Sequence, residues 1–174
     1  FSTLESLRLL ARGDLSEKTA FEEVDLTSLL KELTARQISN QGGGHINLQF
    51  PDPPPLVNAW REGLTVMFNN LIENAYVHSN ISKENLEIDI TVSIDSESLY
   101  INVDDNGMGV EEHERNLVLE RFQRGSNSHS LGSGLGLSLV TQQVEIHSGT
   151  VKIVESPKGG ARVTIALPVI TERD

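Results

Sequence analysis

The chain has 174 residues, a formal net charge of −11 and no cysteine, and 37% of its residues are apolar. This length and apolar content suit one domain with a buried core and argue against a disordered chain. The negative charge disfavours a surface for nucleic-acid duplexes, and the absence of cysteine excludes a disulfide scaffold or a thiolate metal site.

The first predicted element is a helix over residues 1–12, whose apolar face consists of Leu4, Leu7, Leu10 and Ala11. A second helix begins after an N-cap at Asp25 or Thr27, and its apolar side contains Leu26, Leu29, Leu30 and Leu33. Because the sequence begins with Phe1 rather than Met, we expect a fragment of a longer protein. No stretch has the length and apolar character of a bilayer span, and no signal peptide is visible.

A loop, a short strand and a stiff connector follow the second helix. Residues 40–44 read NQGGG and predict a loop, and residues 45–50 alternate as a strand. Residues 51–55 read PDPPP, which suits neither a helix nor a central strand. Residues 59–78 then predict the clearest helix, with an apolar stripe made of Trp60, Leu64, Met67, Phe68, Leu71, Ile72 and Ala75.

Two hairpins and a helix complete the prediction. Apolar residues alternate with other residues over residues 86–94, and we expect Ile94 to face the same way as the other apolar ones. The alternation resumes after a turn and continues to Val103. This pattern predicts an antiparallel hairpin with one buried face. Residues 135–147 predict a second core helix, and residues 150–169 a second hairpin. The whole indicates a two-layer α+β fold, in which helices pack on one face of a mixed, mostly antiparallel sheet.

The long helix carries three polar residues on one strip. Asn70, Asn74 and His78 are four residues apart, so their side chains lie one turn above another beside the apolar stripe. An Asn amide oxygen suits a hard cation such as Mg²⁺ that already carries phosphate oxygens and water. The alternative is that these polar side chains are merely solvated.

The sequence DDNGMGV, residues 104–110, directly follows a predicted strand. Asp105 would end the strand, where its carboxylate can accept a hydrogen bond from an exocyclic amine. Gly107 and Gly109 allow a sharp turn and a close approach to a flat ligand. The alternative is an ordinary turn, because Asp, Asn and Gly are common turn residues.

A glycine-rich stretch precedes the second core helix. Residues 131–140 read LGSGLGLSLV, in which Gly132, Gly134 and Gly136 lead into a helix that begins near Leu135. A glycine-rich loop before a helix N-terminus presents backbone N–H groups to phosphates. The stretch matches neither the Walker pattern nor the dinucleotide-binding fingerprint.

The order and spacing of these motifs resemble a known family. NNLIENAYVHS (69–79), VDDNGMGV (103–110), ERFQRG (120–125) and GSGLGLSLV (132–140) are similar to the N, G1, F and G2 boxes of sensor histidine kinases. Those boxes belong to the Bergerat ATP-binding fold, which gyrase-type ATPases and MutL repair proteins share. The resemblance runs from about Val24 to Pro168, including the closing helix and hairpin.

The resemblance implies roles for residues of the first two boxes. Asn74 would hold Mg²⁺ against the ATP phosphates, and Asn70, a catalytic candidate, would lie near the γ-phosphate. Asp105 would accept a hydrogen bond from the adenine amino group. His78 would lie near the adenine, in a pocket shaped by Gly107 and Gly109.

The resemblance also implies roles for the later boxes. Phe122 and Arg124 match the F box, and Arg124 becomes a second catalytic candidate that contacts phosphate. The nucleotide-binding G2 loop would comprise Gly132, Gly134, Leu135 and Gly136. The polar residues 111–131 would form a mobile lid over ATP.

Two departures from the family pattern are visible. Val77 stands where many members carry a Lys that contacts phosphate, so we expect modest ATP affinity. A phosphoacceptor box is missing, because His113, which Glu114 and Arg115 follow, lies inside the expected lid. We therefore expect residues 1–22 to be the tail of a dimerisation helix and a linker, and residues 23–174 to be the ATP-binding catalytic domain.

The function implied is transfer of the ATP γ-phosphate to a histidine on a separate dimerisation domain, for relay to a response regulator in two-component signalling. The implied cofactors are ATP and Mg²⁺. The parent protein would be a homodimer anchored in the cell membrane, with this domain in the cytoplasm and no nucleic-acid partner. The alternatives are a serine kinase of the anti-sigma-factor type, a gyrase-like ATPase and a nucleotide-sensing module without catalysis.

Overall fold

The computed structural model describes residues 21–123 and 135–169. The predicted helix over residues 1–12 lies outside this part of the chain. The elements are, in order, β1 (Glu22–Asp25), α1 (Leu26–Gln41), β2 (His45–Gln49), β3 (Leu56–Ala59), α2 (Arg61–His78), β4 (Glu87–Ile94), β5 (Ser98–Asp105), α3 (Glu112–Gln123), α4 (Leu135–Ile146), β6 (Thr150–Glu155) and β7 (Ala161–Pro168).

Five strands form one mixed sheet in the order β2-β4-β5-β7-β6. Only the pairing of β2 with β4 is parallel, and it aligns Ile46 with Ile88. The other neighbours are antiparallel, and Val103 of β5 lies between Ile90 of β4 and Val163 of β7. β1 and β3 form a separate antiparallel pair. The mixed, mostly antiparallel sheet that the sequence predicts is therefore confirmed.

The core lies between one face of the sheet and the helices. Alternate residues of the central strands are fully buried there, and they meet buried residues of α1 and α2 that include Leu30, Met67, Phe68 and Ile72. The other face of the sheet is polar, and on it Arg162 donates two hydrogen bonds to Asp104, at 2.7 and 2.8 Å. This arrangement is the predicted two-layer α+β sandwich.

Caps define the ends of the first helix. The carboxylate of Asp25 accepts the N–H of Ser28 at 3.0 Å, so Asp25 rather than Thr27 is the N-cap of α1. The helix ends at Gly42, whose φ of 72° is a left-handed conformation that suits glycine.

The second long helix has no side-chain cap of its own at Trp60. Instead, the ring Nε2 of the buried His147, which follows α4, accepts the Trp60 N–H at 3.1 Å. The ring Nδ1 then carries the proton and donates to the Gln143 carbonyl at 2.7 Å. His147 thereby joins the start of α2 to the end of α4.

Three features differ from the sequence prediction. The short strands β1 and β3 are not predicted, because four residues are too few to show an alternating pattern. Ile94 is 43% exposed and does not join the buried face of β4. The expected lid contains the helix α3, which packs against α4 and β6 with Val118 half-buried. The mobility of that lid stays a prediction.

No helix within residues 21–123 and 135–169 has the length and apolar character needed to cross a membrane.

We expect His147 to make the stability of the fold depend on pH. Burial lowers the pKa of His147 below its ordinary value of 6.5, and the hydrogen bond to Gln143 opposes this effect. The contribution of His147 to the free energy of unfolding is therefore complete above pH 6.5. It is lost as the pH falls from 6.5 towards the lower pKa of the folded state. The fold should therefore be less stable at pH 5.5 than at pH 7.5.

The measurement is thermal unfolding at pH 7.5 and pH 5.5. The wild type should lose more stability on acidification than His147→Gln, which cannot titrate. His45→Gln removes an exposed histidine and should behave as the wild type does. Equal losses in the wild type and His147→Gln would show that folding does not lower the pKa of His147.

Candidate functional site

A cavity of about 310 Å³ lies beside the C-terminal half of α2. Its walls come from α2, the end of β5, the loop that follows β5, and parts of α3, α4, β6 and β7. Most of the described lining is apolar, and the polar side chains in it are Asn74, His78, Asp105 and Glu114. An apolar cavity with a few converging polar groups is the usual form of a small-molecule site.

Asp105 ends β5 with one carboxylate oxygen held by the backbone. Its Oδ1 accepts the N–H groups of Gly107 at 2.8 Å and Ala161 at 3.2 Å. Its Oδ2 makes no hydrogen bond to a described residue, so this oxygen is available to a donor in the cavity. Burial raises the pKa of Asp105 above the ordinary aspartate value, whereas the two amide hydrogen bonds and nearby His78 oppose the rise.

The loop after β5 is docked on the C-terminal end of α2. The Met108 N–H donates to the Ser79 carbonyl at 3.0 Å. A Cβ at Gly107 would come within 2.8 Å of the Ser79 carbonyl oxygen and closer still to the Ser79 Cα. Gly107 is thus required by this close approach, and it does not line the cavity. Gly109 does line it, in a left-handed conformation with φ of 74°.

The three polar residues of the α2 strip have different surroundings. Asn74 and His78 both line the cavity. The Nδ2 of Asn74 is buried and has no hydrogen-bond partner, although buried polar atoms normally have one. Asn70 does not line the cavity, and its Nδ2 donates to the Val66 carbonyl at 2.7 Å.

The later boxes are only partly within the described structure. Arg124, Gly132 and Gly134 lie outside the described residues. Phe122 belongs to α3, and Leu135 and Gly136 open α4, but their side chains are not described. The roles suggested for these six residues stay predictions.

Several cavity residues are not predicted from the sequence. They are Leu71, Ala75, Val103, Met108, Val110, Glu114, Val118, Leu137, Ile153, Ala161 and Val163. Leu71, Leu137, Ile153 and Val163 belong to ordinary helix or strand patterns, which indicate burial but do not distinguish a core from a cavity wall. For α3 the sequence offers only the spacing of Glu114 and Val118. They are four residues apart and therefore lie on the same face of the helix.

Comparisons with known proteins agree with this site. A family model described as histidine kinase-, DNA gyrase B- and HSP90-like ATPase matches residues 61–171. The sensor-type histidine kinase PrrB of Mycobacterium tuberculosis is 36% identical over 167 residues, which are 96% of this chain and 36% of PrrB. The sensor histidine kinase CpxA of Escherichia coli is 28% identical over 173 residues, 97% of this chain and 37% of CpxA.

Solved structures show the same relationship. The crystal structure of the ATP-binding domain of PrrB from Mycobacterium tuberculosis superposes with a TM-score of 0.72 at 30% identity, covering 87% of this chain and 99% of that domain. The mycobacterial sensor histidine kinase MprB gives a TM-score of 0.71 at 26% identity, covering 86% of this chain and 97% of that one.

The chain belongs to the histidine kinase-, DNA gyrase B- and HSP90-like ATPase family, and it is an ATP-binding catalytic domain of the type found in sensor histidine kinases. The predicted family and fold are thereby confirmed. The serine-kinase and nucleotide-sensing alternatives are not favoured by these relatives. The chain spans little more than a third of the length of PrrB or CpxA.

We expect Gly107→Ala to destabilise the domain, because the new Cβ collides with the backbone of Ser79. Overpacking of this kind costs about 1 to 3 kcal/mol. Urea unfolding measures the change, and the matched control is Met108→Ala, whose side chain is 73% exposed in the same loop. The control should change the free energy of unfolding by less than about 0.5 kcal/mol. Equal stability of the two variants would show that the loop is not docked as described.

Proposed function

We propose that the cavity beside α2 binds the adenine end of ATP, with Asp105 accepting a hydrogen bond from the adenine amino group. The observation that carries this proposal is the fixed orientation of the Asp105 carboxylate. Because Oδ1 is held by two backbone amides, the remaining oxygen is directed to a ligand without having to reorient. The apolar walls suit a flat, largely apolar base.

A magnesium ion fits the same site through Asn74. No group of three or more His, Cys, Asp or Glu side chains that could hold a metal occurs within residues 21–123 and 135–169. Asn74 is half-buried beside the cavity, and its buried Nδ2 has no hydrogen-bond partner among the described residues. A ligand can therefore orient the Asn74 amide, with Oδ1 towards a hydrated cation. When bound, Mg²⁺ neutralises charge on the phosphate oxygens of ATP.

The remaining proposed contacts follow from the boxes. Asn70 would lie near the γ-phosphate, with its Nδ2 donating to the Val66 carbonyl at 2.7 Å. Arg124 would contact phosphate, Phe122 would belong to the same site, and the G2 loop would provide backbone N–H groups. Val77 is 63% exposed and brings no charge to the phosphates, which supports modest affinity for ATP.

We infer that the parent protein is a protein-histidine kinase of a two-component system. In it, this domain transfers the γ-phosphate to a histidine on the parent's own dimerisation domain for relay to a response regulator. The similarity to PrrB and CpxA supports this inference. The parent would be a homodimer anchored in the cell membrane, with this domain on the cytoplasmic side.

The proposed domain boundary lies near residue 22, with a linker and the tail of a dimerisation helix before it. β1 supports a boundary there, because it begins at Glu22 and pairs with β3 within the domain. The catalytic domain would then begin near residue 22 and include β1.

We expect Asp105→Asn to lower ATP affinity by at least about tenfold. The Asn Oδ1 would stay on the two backbone amides, so its NH₂ group would face the donor amine of adenine. Isothermal titration calorimetry with ATP and Mg²⁺ measures the change. Asp89→Asn is the matched control, because Asp89 lies on the polar face of the sheet with Lys158 and should leave affinity unchanged.

In the same titrations Asn74→Ala should bind ATP with little or no enhancement by Mg²⁺, because the amide oxygen that would contact the ion is gone. Unchanged affinity in Asp105→Asn would place adenine elsewhere. Undiminished enhancement by Mg²⁺ in Asn74→Ala would remove Asn74 as the metal ligand.

A further inference from the structure

Glu114 is the one polar side chain of the described cavity lining that the boxes do not include. It lies in the first turn of α3, and Val118, one turn later, lines the same cavity. Because residues four apart share a helix face, this face of α3 is directed towards the cavity.

The start of α3 is fastened to the cavity wall. The Arg115 Nε donates to the Val110 carbonyl at 2.9 Å, and Val110 itself lines the cavity. The Glu114 N–H donates to the Glu111 carbonyl, also at 2.9 Å. These two hydrogen bonds hold the backbone around Glu114 next to the cavity wall. Glu114 is an exposed residue of the cavity lining, and it forms no salt bridge to a described residue, so its carboxylate can accept from a ligand.

Charge limits which part of a nucleotide can lie beside Glu114. The described lining contains two carboxylates and neither Lys nor Arg. A triphosphate next to an unpaired carboxylate would be repelled, whereas hydrogen-bond donors would be attracted. ATP carries such donors only on its nucleoside, as the adenine amino group and the two ribose hydroxyls. In the proposed function the adenine amino group donates to Asp105. The two ribose hydroxyls are therefore the donors left for Glu114.

We propose that Glu114 is a specificity residue of the cavity, whose carboxylate accepts a hydrogen bond from a ribose hydroxyl and thereby favours ribonucleotides. This inference rests on the proposed ATP site. Hydrogen bonds to charged groups are strong enough for the loss of one to weaken binding about tenfold. The same bond makes the helix α3 part of nucleotide recognition.

The test compares ATP, 2′-deoxy-ATP and 3′-deoxy-ATP, each with Mg²⁺, by calorimetry on the whole chain. The wild type should prefer ATP over at least one of the deoxy nucleotides by about tenfold. In Glu114→Ala that preference should disappear, because ATP binding weakens and binding of the disfavoured deoxy nucleotide does not. Glu112→Gln changes another exposed carboxylate of the same helix, one that does not line the cavity, and should keep the preference.

Other outcomes would overturn the inference. Tighter ATP binding by Glu114→Gln would show that the carboxylate repels phosphate, and equal weakening of all three nucleotides would place Glu114 beside the phosphates or the metal. A wild type that binds all three nucleotides equally would also contradict it while leaving the ATP site intact. If the wild type binds none of them, the proposed function fails as well.

Discussion

The site depends on one contact, the docking of the loop after β5 onto the C-terminal end of α2. Gly107 lies against the Ser79 backbone, and the Met108 N–H donates to the Ser79 carbonyl. The Gly107 N–H also holds the Asp105 carboxylate. A single glycine therefore fixes the distance between the strand that carries Asp105 and the helix that carries Asn74 and His78. Without that close approach the polar groups would not share one cavity.

The helix α2 is held from two further directions, so that its position can be precise. On the side of α1, the amide of the buried Gln37 donates to Asn69 and to Glu73, each at 3.2 Å. At the opposite end of α2, His147 accepts the Trp60 N–H. A preorganised site needs such support, because affinity falls when the ligand must itself order the groups that bind it. Asn69 and Glu73 thus help to position α2 through their hydrogen bonds with Gln37.

The sequence predicts the sheet, the long helices and the position of Asp105, because each is a local pattern: alternation, a 3.6-residue period, or a carboxylate at a strand end. It does not predict β1 and β3, whose pairing depends on residues more than thirty positions apart. The predicted role of Gly107 in shaping the adenine pocket stays a prediction, and the structure adds its close approach to Ser79, which the sequence does not predict. The place of Glu114 in the cavity depends on how α3 folds back over α4 and β6, which no local pattern records.

Phosphotransfer tests the central claim, that this domain uses the site to phosphorylate a histidine. The chain would be incubated with Mg²⁺, ATP labelled in its γ-phosphate and the dimerisation domain of its parent, beside an Asp105→Asn control. We expect label on the dimerisation domain that is lost on mild acid treatment, as phosphohistidine is, and far less label with Asp105→Asn. Acid-stable label would indicate a serine kinase. Nucleotide binding with no transfer at all would contradict the catalytic role and leave a domain that only senses ATP.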